Sequence, residues 1–346
     1  MHYELCTMNY ELKNRLFHFK QPAGTSRGVY TTRRSWFVTF NDTNGAAGVG
    51  ECAPLPQLSC DDIPDYEEVL NRICERVAET GELDDALLRP YPSMRFGIET
   101  ALLDLHSDNG VFFDNPFTRG EVGIPINGLV WMGSHKEMLA RMEEKISQGF
   151  RCVKFKIGAI DFEQEVDLIR RVRERFSVDE VEIRLDANGA FTPSEALGKL
   201  ERLAVFGIHS IEQPIRQHQW SDMAHLCQAS PIPIALDEEL IGVNLRAMKE
   251  DLLDTIRPAY IILKPSLHGG MAGTEEWVAL AEKRGIGSWM TSALESNVGL
   301  CAIAQLAAKV YGCPPSMPQG LGTGMLFTDN VYRPIKIAGN KLFFGS

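Results

Sequence analysis

A chain of 346 residues is long for one compact core and predicts two domains, or one large barrel with an addition. With 44% hydrophobic and 23% charged residues, no apolar run long enough for a bilayer, and no signal-like segment in MHYELCTMNYELKNRLF, it reads as a globular cytoplasmic protein without a membrane partner. Its net charge of −11, with no cluster of Lys and Arg, excludes a general nucleic-acid-binding face.

The first 122 residues have an α+β pattern. Ser35-Trp36-Phe37-Val38-Thr39-Phe40 alternates with period two and predicts a strand, Asn44 to Gly50 a glycine-rich turn, and Tyr66 to Thr80 a helix. Gln21 to Thr32 and Glu51 to Asp62 resist assignment to regular elements. Irregular loops of that length are lids or surface connections. The eight cysteines (Cys6, Cys52, Cys60, Cys74, Cys152, Cys227, Cys301, Cys313) are scattered without paired spacing, which predicts reduced thiols in place of a zinc site or disulfide framework.

From Gly123 the rhythm changes to strand, helix, strand. Strands are expected at Ile124–Asn127, Cys152–Ile157, Glu182–Asp186, Ser210–Glu212, Ile234–Asp237, Tyr260–Lys264, Gly287–Thr291 and, briefly, near Gln319. Between them lie helices such as Asp161 to Phe176, with Phe162, Val166, Ile169 and Val172 on one face, and Ser194 to Phe206, opened by Thr192-Pro193. Such alternation means a parallel sheet, and eight strands favour a closed α/β barrel.

Five ionisable residues mark this region. Lys156, Asp186, Glu212, Asp237 and Lys264 follow one another at 30, 26, 25 and 27 residues, the length of one βα unit, so each step returns to the same end of the sheet. Parity sets their direction: Val153 and Phe155 alternate with Lys154 and Lys156, Ile183 and Leu185 with Arg184 and Asp186, Leu236 with Asp237, and Ile261 and Leu263 with Lys264. Helices cover the outside of a barrel, so the charges point into its mouth.

Three carboxylates brought within a few ångströms need a cation between them, or an internal salt bridge to Arg184 or a lysine. A hard divalent ion suits the oxygen ligands, magnesium first and manganese as a substitute. Lys156 and Lys264 flank the carboxylates. A lysine beside a like charge, here Lys154, and near a divalent ion can serve as a base near neutrality. Base catalysis supplies only about 10²- to 10⁴-fold, so the metal must hold the charge created when a proton leaves carbon next to a carboxylate.

Gly50-Glu51-Cys52-Ala53-Pro54-Leu55-Pro56, Phe96-Gly97-Ile98-Glu99-Thr100-Ala101-Leu102-Leu103-Asp104-Leu105, Lys154-Phe155-Lys156, Asp186-Ala187-Asn188, Glu212-Gln213-Pro214, Asp237-Glu238 and Lys264-Pro265 together resemble the enolase superfamily over essentially the whole chain. Lys-x-Lys with a distal Lys resembles its muconate-lactonising subgroup. The resemblance implies a TIM-like (β/α)7β barrel over 123–324 and an α+β capping domain over 1–122, to which 325–346 returns. It also implies that the two irregular stretches are capping loops.

Within that subgroup, Ile124-Pro125-Ile126-Asn127-Gly128-Leu129-Val130-Trp131-Met132-Gly133 and Gly320-Leu321-Gly322-Thr323-Gly324-Met325-Leu326-Phe327 resemble the o-succinylbenzoate synthases of the menaquinone pathway. Dipeptide epimerases carry an acidic pair after the eighth strand, whereas this segment is glycine-rich and uncharged and suits a carboxylate. The implied reaction is syn dehydration of a cyclohexadiene carboxylate, a small-molecule partner. Asp186, Glu212 and Asp237 would be metal ligands, Lys156 the base and then the acid, and Lys264 a cation on the opposite face. Lys154, Asn188, Ser292, Glu295, Gly322 and Thr323 would be substrate-binding. A dipeptide epimerase or N-acylamino-acid racemase using the same lysines is the alternative, and a non-catalytic barrel a third. Monomer and homo-oligomer both stay open.

Overall fold

Three antiparallel strands, β1 (Asn9–Thr25), β2 (Gly28–Asn41) and β3 (Ala47–Cys52), form the first sheet in the order β1-β2-β3. The computed structural model describes residues 8–25, 28–131 and 133–345, so Cys6 and Met132 lie outside the described residues. Helices α1 (Tyr66–Thr80), α2 (Asp85–Leu88) and α3 (Pro92–Leu105) follow. Val38, Phe40 and Cys52 of the sheet join Leu70, Ile73, Val77, Ile98 and Leu102 in one buried cluster. Helix α3 lies directly against β3 because two glycines permit it. A Cβ on Gly50 would sit 1.8 Å from the Gly97 carbonyl oxygen, and one on Gly97 would sit 2.2 Å from Cys52 Sγ.

Gln21 to Thr32, expected to be irregular, is mostly strand. Ala23 pairs with Tyr30, Gly24 with Val29 and Thr25 with Gly28, after a register shift beyond His18. Pro and Gly broke the apolar alternation, but backbone pairing needs no side-chain pattern. This hairpin end packs against the barrel mouth: Ala23 and Tyr30 join Leu55, Leu58, Trp131, Leu267, Ala293 and Leu294 in one apolar cluster.

After β4 (Ile124–Pro125) the chain builds β5 (Gly128–Val130), α4 (His135–Ser147), β6 (Cys152–Lys156), α5 (Phe162–Arg175), β7 (Glu182–Asp186) and α6 (Pro193–Ala204). It continues through β8 (Ser210–Glu212), α7 (Trp220–Ala229), β9 (Ile234–Leu236), α8 (Arg246–Ile256), β10 (Tyr260–Leu263), α9 (Gly270–Glu282), β11 (Gly287–Met290) and α10 (Asn297–Tyr311). Strands β5 to β11 form one seven-stranded parallel sheet in sequence order. The eighth position is a two-residue seam. Gln319 bridges to Ile126 and Gly320 to Thr291, with backbone bonds Asn127 N to Gln319 O of 3.0 Å and Gly320 N to Met290 O of 2.8 Å.

The expected strand Ile124–Asn127 divides. Ile124–Pro125 pairs with β13 (Lys341–Phe344), itself hairpinned to β12 (Ile335–Ala338), and the barrel's own first strand starts at Gly128. The tail divides likewise. Lys20 N donates to Leu326 O at 2.8 Å and Thr328 N to His18 O at 2.9 Å, so that part adds to β1, whereas the β12–β13 hairpin pairs with β4.

Val153, Phe155, Ile183, Leu185, Ile211 and Ile261 face the helices in the main core, as parity requires. At the other end of the barrel from the charges, Arg184 lies 4.2 Å from the Trp289 ring centroid and donates to Glu182 Oε1 at 2.7 Å and Pro318 O at 2.9 Å. Arg184 is thereby committed to the barrel floor and takes no part in the carboxylate cluster.

Candidate active site

Strand register gathers the charged residues. Lys156 is the register partner of Asp186 and Asp186 of Glu212, so these side chains stand side by side on β6, β7 and β8. Asp237 follows the last residue of β9 and Lys264 the last of β10. Lys154, Lys156, Asp186, Glu212 and Asp237 are buried, and Lys264 is half-buried.

Each carboxylate meets an ammonium group. Lys154 Nζ lies 2.9 Å from Asp186 Oδ2 and 2.7 Å from Glu212 Oε2; Lys156 Nζ lies 3.1 Å from the same Asp186 oxygen. Lys264 Nζ donates to Asp237 Oδ2. Internal pairing with lysines, one of the two arrangements open from sequence, is what these side chains adopt. Among the described residues no three Asp, Glu, His or Cys side chains converge as a ready metal cage.

The donor set nevertheless fits a hard cation. Glu212 Oε1, Asp237 Oδ1 and Glu238 Oε2 are buried acceptors with no hydrogen-bond partner. Buried oxygens of this kind cost free energy until a cation or proton reaches them. Burial and the neighbouring Asp186 charge push Glu212 up to about 8. Burial alone would raise Asp186 too, but Lys154 and Lys156 hold it below the usual carboxylate range. Lys264 likewise outweighs burial at Asp237, whose carboxyl is lowered. Burial would lower Lys154 and Lys264, yet the facing carboxylates outweigh it and both are raised. Lys154 is therefore a fixed cation bound across two carboxylates.

The weaker candidates separate into three groups. Asn188 belongs to the central cluster: its Oδ1 accepts from Lys156 Nζ at 2.7 Å, and its Nδ2 donates to Glu238 Oε1 at 3.1 Å. Ser292 and Glu295 form their own network. Glu295 accepts from the hydroxyls of Ser266 and, at 2.6 Å, Ser292, which ties the turn after β10 to the turn after β11. This network shares no hydrogen bond with the lysines among the described residues. Gly322 and Thr323 lie just past the seam. A Cβ on Gly322 would be 3.5 Å from Asn127 O, and Thr323 Oγ1 is buried without a partner.

Three contributors escaped sequence reasoning. Gln213, in the left-handed region at φ 41°, accepts from the backbone N–H of Asp237 and of Glu239, each at 3.2 Å, and so ties the loop after β8 to the third carboxylate. His268 Nδ1 accepts from the Lys264 N–H at 2.9 Å. Glu238 faces the cluster beside Asp237, and burial with the Asp237 charge pushes it up to about 7. Parity would have turned Glu238 away, but a 3₁₀ turn over Glu238–Leu240 replaces the strand there.

Comparison with known proteins agrees with this geometry. The family model described as "Enolase C-terminal domain-like" matches residues 137–318, and the one described as "MenC, N-terminal domain" matches 18–105. The chain is 47% identical to an o-succinylbenzoate synthase of Desulfotalea psychrophila, over 94% of this chain and 95% of that protein. It is 28% identical to an L-Ala-D/L-Glu epimerase of Bacillus subtilis, over 82% and 79% of the two chains. The crystal structure of MenC from Desulfotalea psychrophila superposes with a TM-score of 0.82 at 42% identity, covering 97% of this chain and 99% of that one.

Proposed function

Because the chain belongs to the enolase superfamily, in its o-succinylbenzoate synthase branch, we propose that it dehydrates 2-succinyl-6-hydroxy-2,4-cyclohexadiene-1-carboxylate to o-succinylbenzoate in menaquinone biosynthesis. The carrying observation is the 47% identity to a synthase along 94% of the chain. An unbroken set of lysines and carboxylates on adjoining strands supports it.

Enzymes of this superfamily use a divalent metal, and we choose magnesium because every available donor is a carboxylate oxygen. Asp186, Glu212 and Asp237 would hold it. When bound, such an ion supplies the positive charge against which the substrate carboxylate can accept the electron pair left by a departing proton.

Lys156, in its neutral form, takes the ring proton next to that carboxylate. The pair from the broken C–H bond moves into the ring, and the C–O bond to the neighbouring hydroxyl breaks. Lys156, now an ammonium, gives its proton to the departing hydroxyl on the same face, so water leaves and the ring becomes aromatic. Lys264 stays cationic against Asp237 and faces the ring from the other side. Lys154 stays cationic between Asp186 and Glu212. The Thr323 hydroxyl and the backbone N–H groups around Gly322 are the groups we assign to the succinyl carboxylate.

Such an enzyme acts on a small-molecule carboxylate, and we place it in the cytoplasm, which suits the seven unpaired cysteines among the described residues. Among those residues no helix is long and apolar enough to cross a membrane. Purified protein with magnesium and the cyclohexadiene substrate is expected to remove the diene absorbance. Failure to do so, with deuterium uptake at the α-carbon of an N-succinyl amino acid instead, would replace the synthase by a racemase.

A further inference from the structure

Glu238 is a buried carboxylate that is neither the base nor one of the three residues assigned to hold the metal. Its Oε1 accepts from Asn188 Nδ2 at 3.1 Å, and Asn188 Oδ1 accepts from Lys156 Nζ at 2.7 Å. The two contacts lie at opposite ends of one amide. An amide presents an acceptor at one end and donors at the other, an ammonium only donates, and a carboxylate oxygen accepts. Only one orientation of Asn188 therefore satisfies both neighbours. Were the amide turned over, its oxygen would meet Glu238 Oε1, and its NH₂ would meet the Lys156 ammonium or, in the neutral amine, the lone pair that must take the ring proton.

From this we propose that Glu238 is a positioning residue for the base: by holding the NH₂ of Asn188 it makes Asn188 present its oxygen to Lys156 and fixes where Lys156 Nζ stands. The inference rests on Lys156 being the base. Three further observations carry it. Asn188 sits at φ 44°, a left-handed conformation that Asn tolerates better than most residues, so its side chain leaves the loop after β7 from a defined point. Glu238 is 3% exposed and is placed by the turn over Glu238–Leu240, whose Glu239 N–H is held in turn by Gln213. Among the described residues Lys156 has two side-chain acceptors, Asp186 Oδ2 at 3.1 Å and Asn188 Oδ1, with the Trp131 ring centroid 6.0 Å away. Without an oriented Asn188 its Nζ is held on one side only.

Protonation of Glu238 does not alter this logic. A proton on the unpartnered Oε2 leaves Oε1 an acceptor. A misplacement of about 1 Å in a reacting group can cost about 10²-fold in rate, which sets the scale of the effect.

The test uses the full chain carrying Glu238→Ala, Glu238→Gln, Asn188→Gly and the Glu238→Ala/Asn188→Gly pair. Glycine is chosen at 188 because it accepts a positive φ. Glu238→Ala is expected to lower kcat by about ten- to a hundred-fold while KM and magnesium affinity stay within about two-fold. Glu238→Gln, whose Oε1 can accept the same bond, is expected to recover at least about ten-fold over Glu238→Ala. In the Asn188→Gly background, Glu238→Ala is expected to add nothing, because the hydrogen-bonded link from Glu238 to Lys156 is gone. Additive losses, a glutamine variant as damaged as the alanine one, or a fall in magnesium affinity that matches the fall in kcat would each overturn the proposal. Lys156→Ala separates the two readings. If it keeps full activity, or if the unaltered protein has none, the assignment of the base fails, and crystal structures then judge the positioning by itself. The contact between Lys156 and Asn188 must be lost in Glu238→Ala and kept in Glu238→Gln; its survival in both would refute the proposal.

Discussion

Lys154 Nζ lies 2.7 Å from Glu212 Oε2 and so joins β6 to β8 across the intervening strand β7. Removing one partner of a buried ion pair costs about 3–5 kcal/mol because the other charge is left alone. Lys154→Ala should therefore be destabilised by about that amount in metal-free urea unfolding. Saturating magnesium should restore most of the loss, since it supplies the missing positive charge. Equal stability of the variant with and without magnesium would contradict the assignment of these carboxylates as metal ligands.

Lys156→Ala should lose about 10²- to 10⁴-fold in kcat, the ordinary worth of a general base, and keep its magnesium affinity. Lys264→Ala should lose kcat too. It should also unfold more readily, because Asp237 loses its ammonium partner. Steady-state rates and calorimetric magnesium titration on both variants would check the pair. A Lys156→Ala protein with undiminished kcat would exclude it as the base.

Chelation should abolish turnover, and added magnesium should restore it. Asp186→Asn should weaken magnesium binding at least about ten-fold, the lower end of what loss of a site's supporting groups costs. Titration of chelator-treated protein, followed by rate recovery, decides the point. Activity that persists after exhaustive chelation would remove the metal from the mechanism.

Glu51 of β3 accepts from Ser35 Oγ at 2.6 Å, Ser296 N at 2.9 Å, Ser296 Oγ at 2.6 Å and Gly299 N at 2.9 Å. It thus caps α10 of the barrel from the N-terminal sheet. Glu51→Ala leaves four donors without their acceptor, and about 3 kcal/mol or more of stability should go with it. Denaturant unfolding with a loss below about 1 kcal/mol would mean that the two sheets are held together elsewhere.

Burial pushes Asp61 up to about 6, although Ser93 donates to Oδ2 from its N–H at 2.8 Å and its hydroxyl at 2.6 Å. The unfolded chain has this carboxyl near about 3.9. A raised folded pKa means that the stabilising contribution is full below about pH 4 and is lost as pH rises through about 6, some 3 kcal/mol in all. Asp61→Asn keeps an acceptor for Ser93 and should be the more stable protein above about pH 7, with a flatter stability curve between about pH 4 and 6. Parallel curves for the two proteins would refute this.

Much of this was legible because strand parity and βα spacing are one-dimensional signals. Glu182–Asp186 and Ser210–Glu212 fall where alternation puts them, and Lys156, Asp186 and Glu212 meet through register alone. What parity could not carry lies just beyond strand ends. Glu238 turns inward because the chain enters a 3₁₀ turn, Gln213 because its φ is positive, and neither property is periodic. The pairing of Ala23, Gly24 and Thr25 with Tyr30, Val29 and Gly28 was hidden for the opposite reason: it is backbone to backbone, and Pro and Gly supplied a misleading loop signature. Ser292 and Glu295 satisfy each other, a pairing three residues apart on a loop that no periodic signal announces.

The seam at Gln319–Gly320 divides the barrel's rim into two parts that can change independently. Every charged group of the cluster sits on or just after β6 to β10, where each strand is registered by its immediate neighbours, while the seam's backbone pairs with Pro125, Ile126, Asn127, Met290, Thr291 and Ser292. A lineage could lengthen, recharge or reshape the segment past Gly320 and meet a differently built substrate tail without moving a lysine or a carboxylate. Under the proposed assignments, proton chemistry and the choice of molecule fall on opposite arcs of one ring.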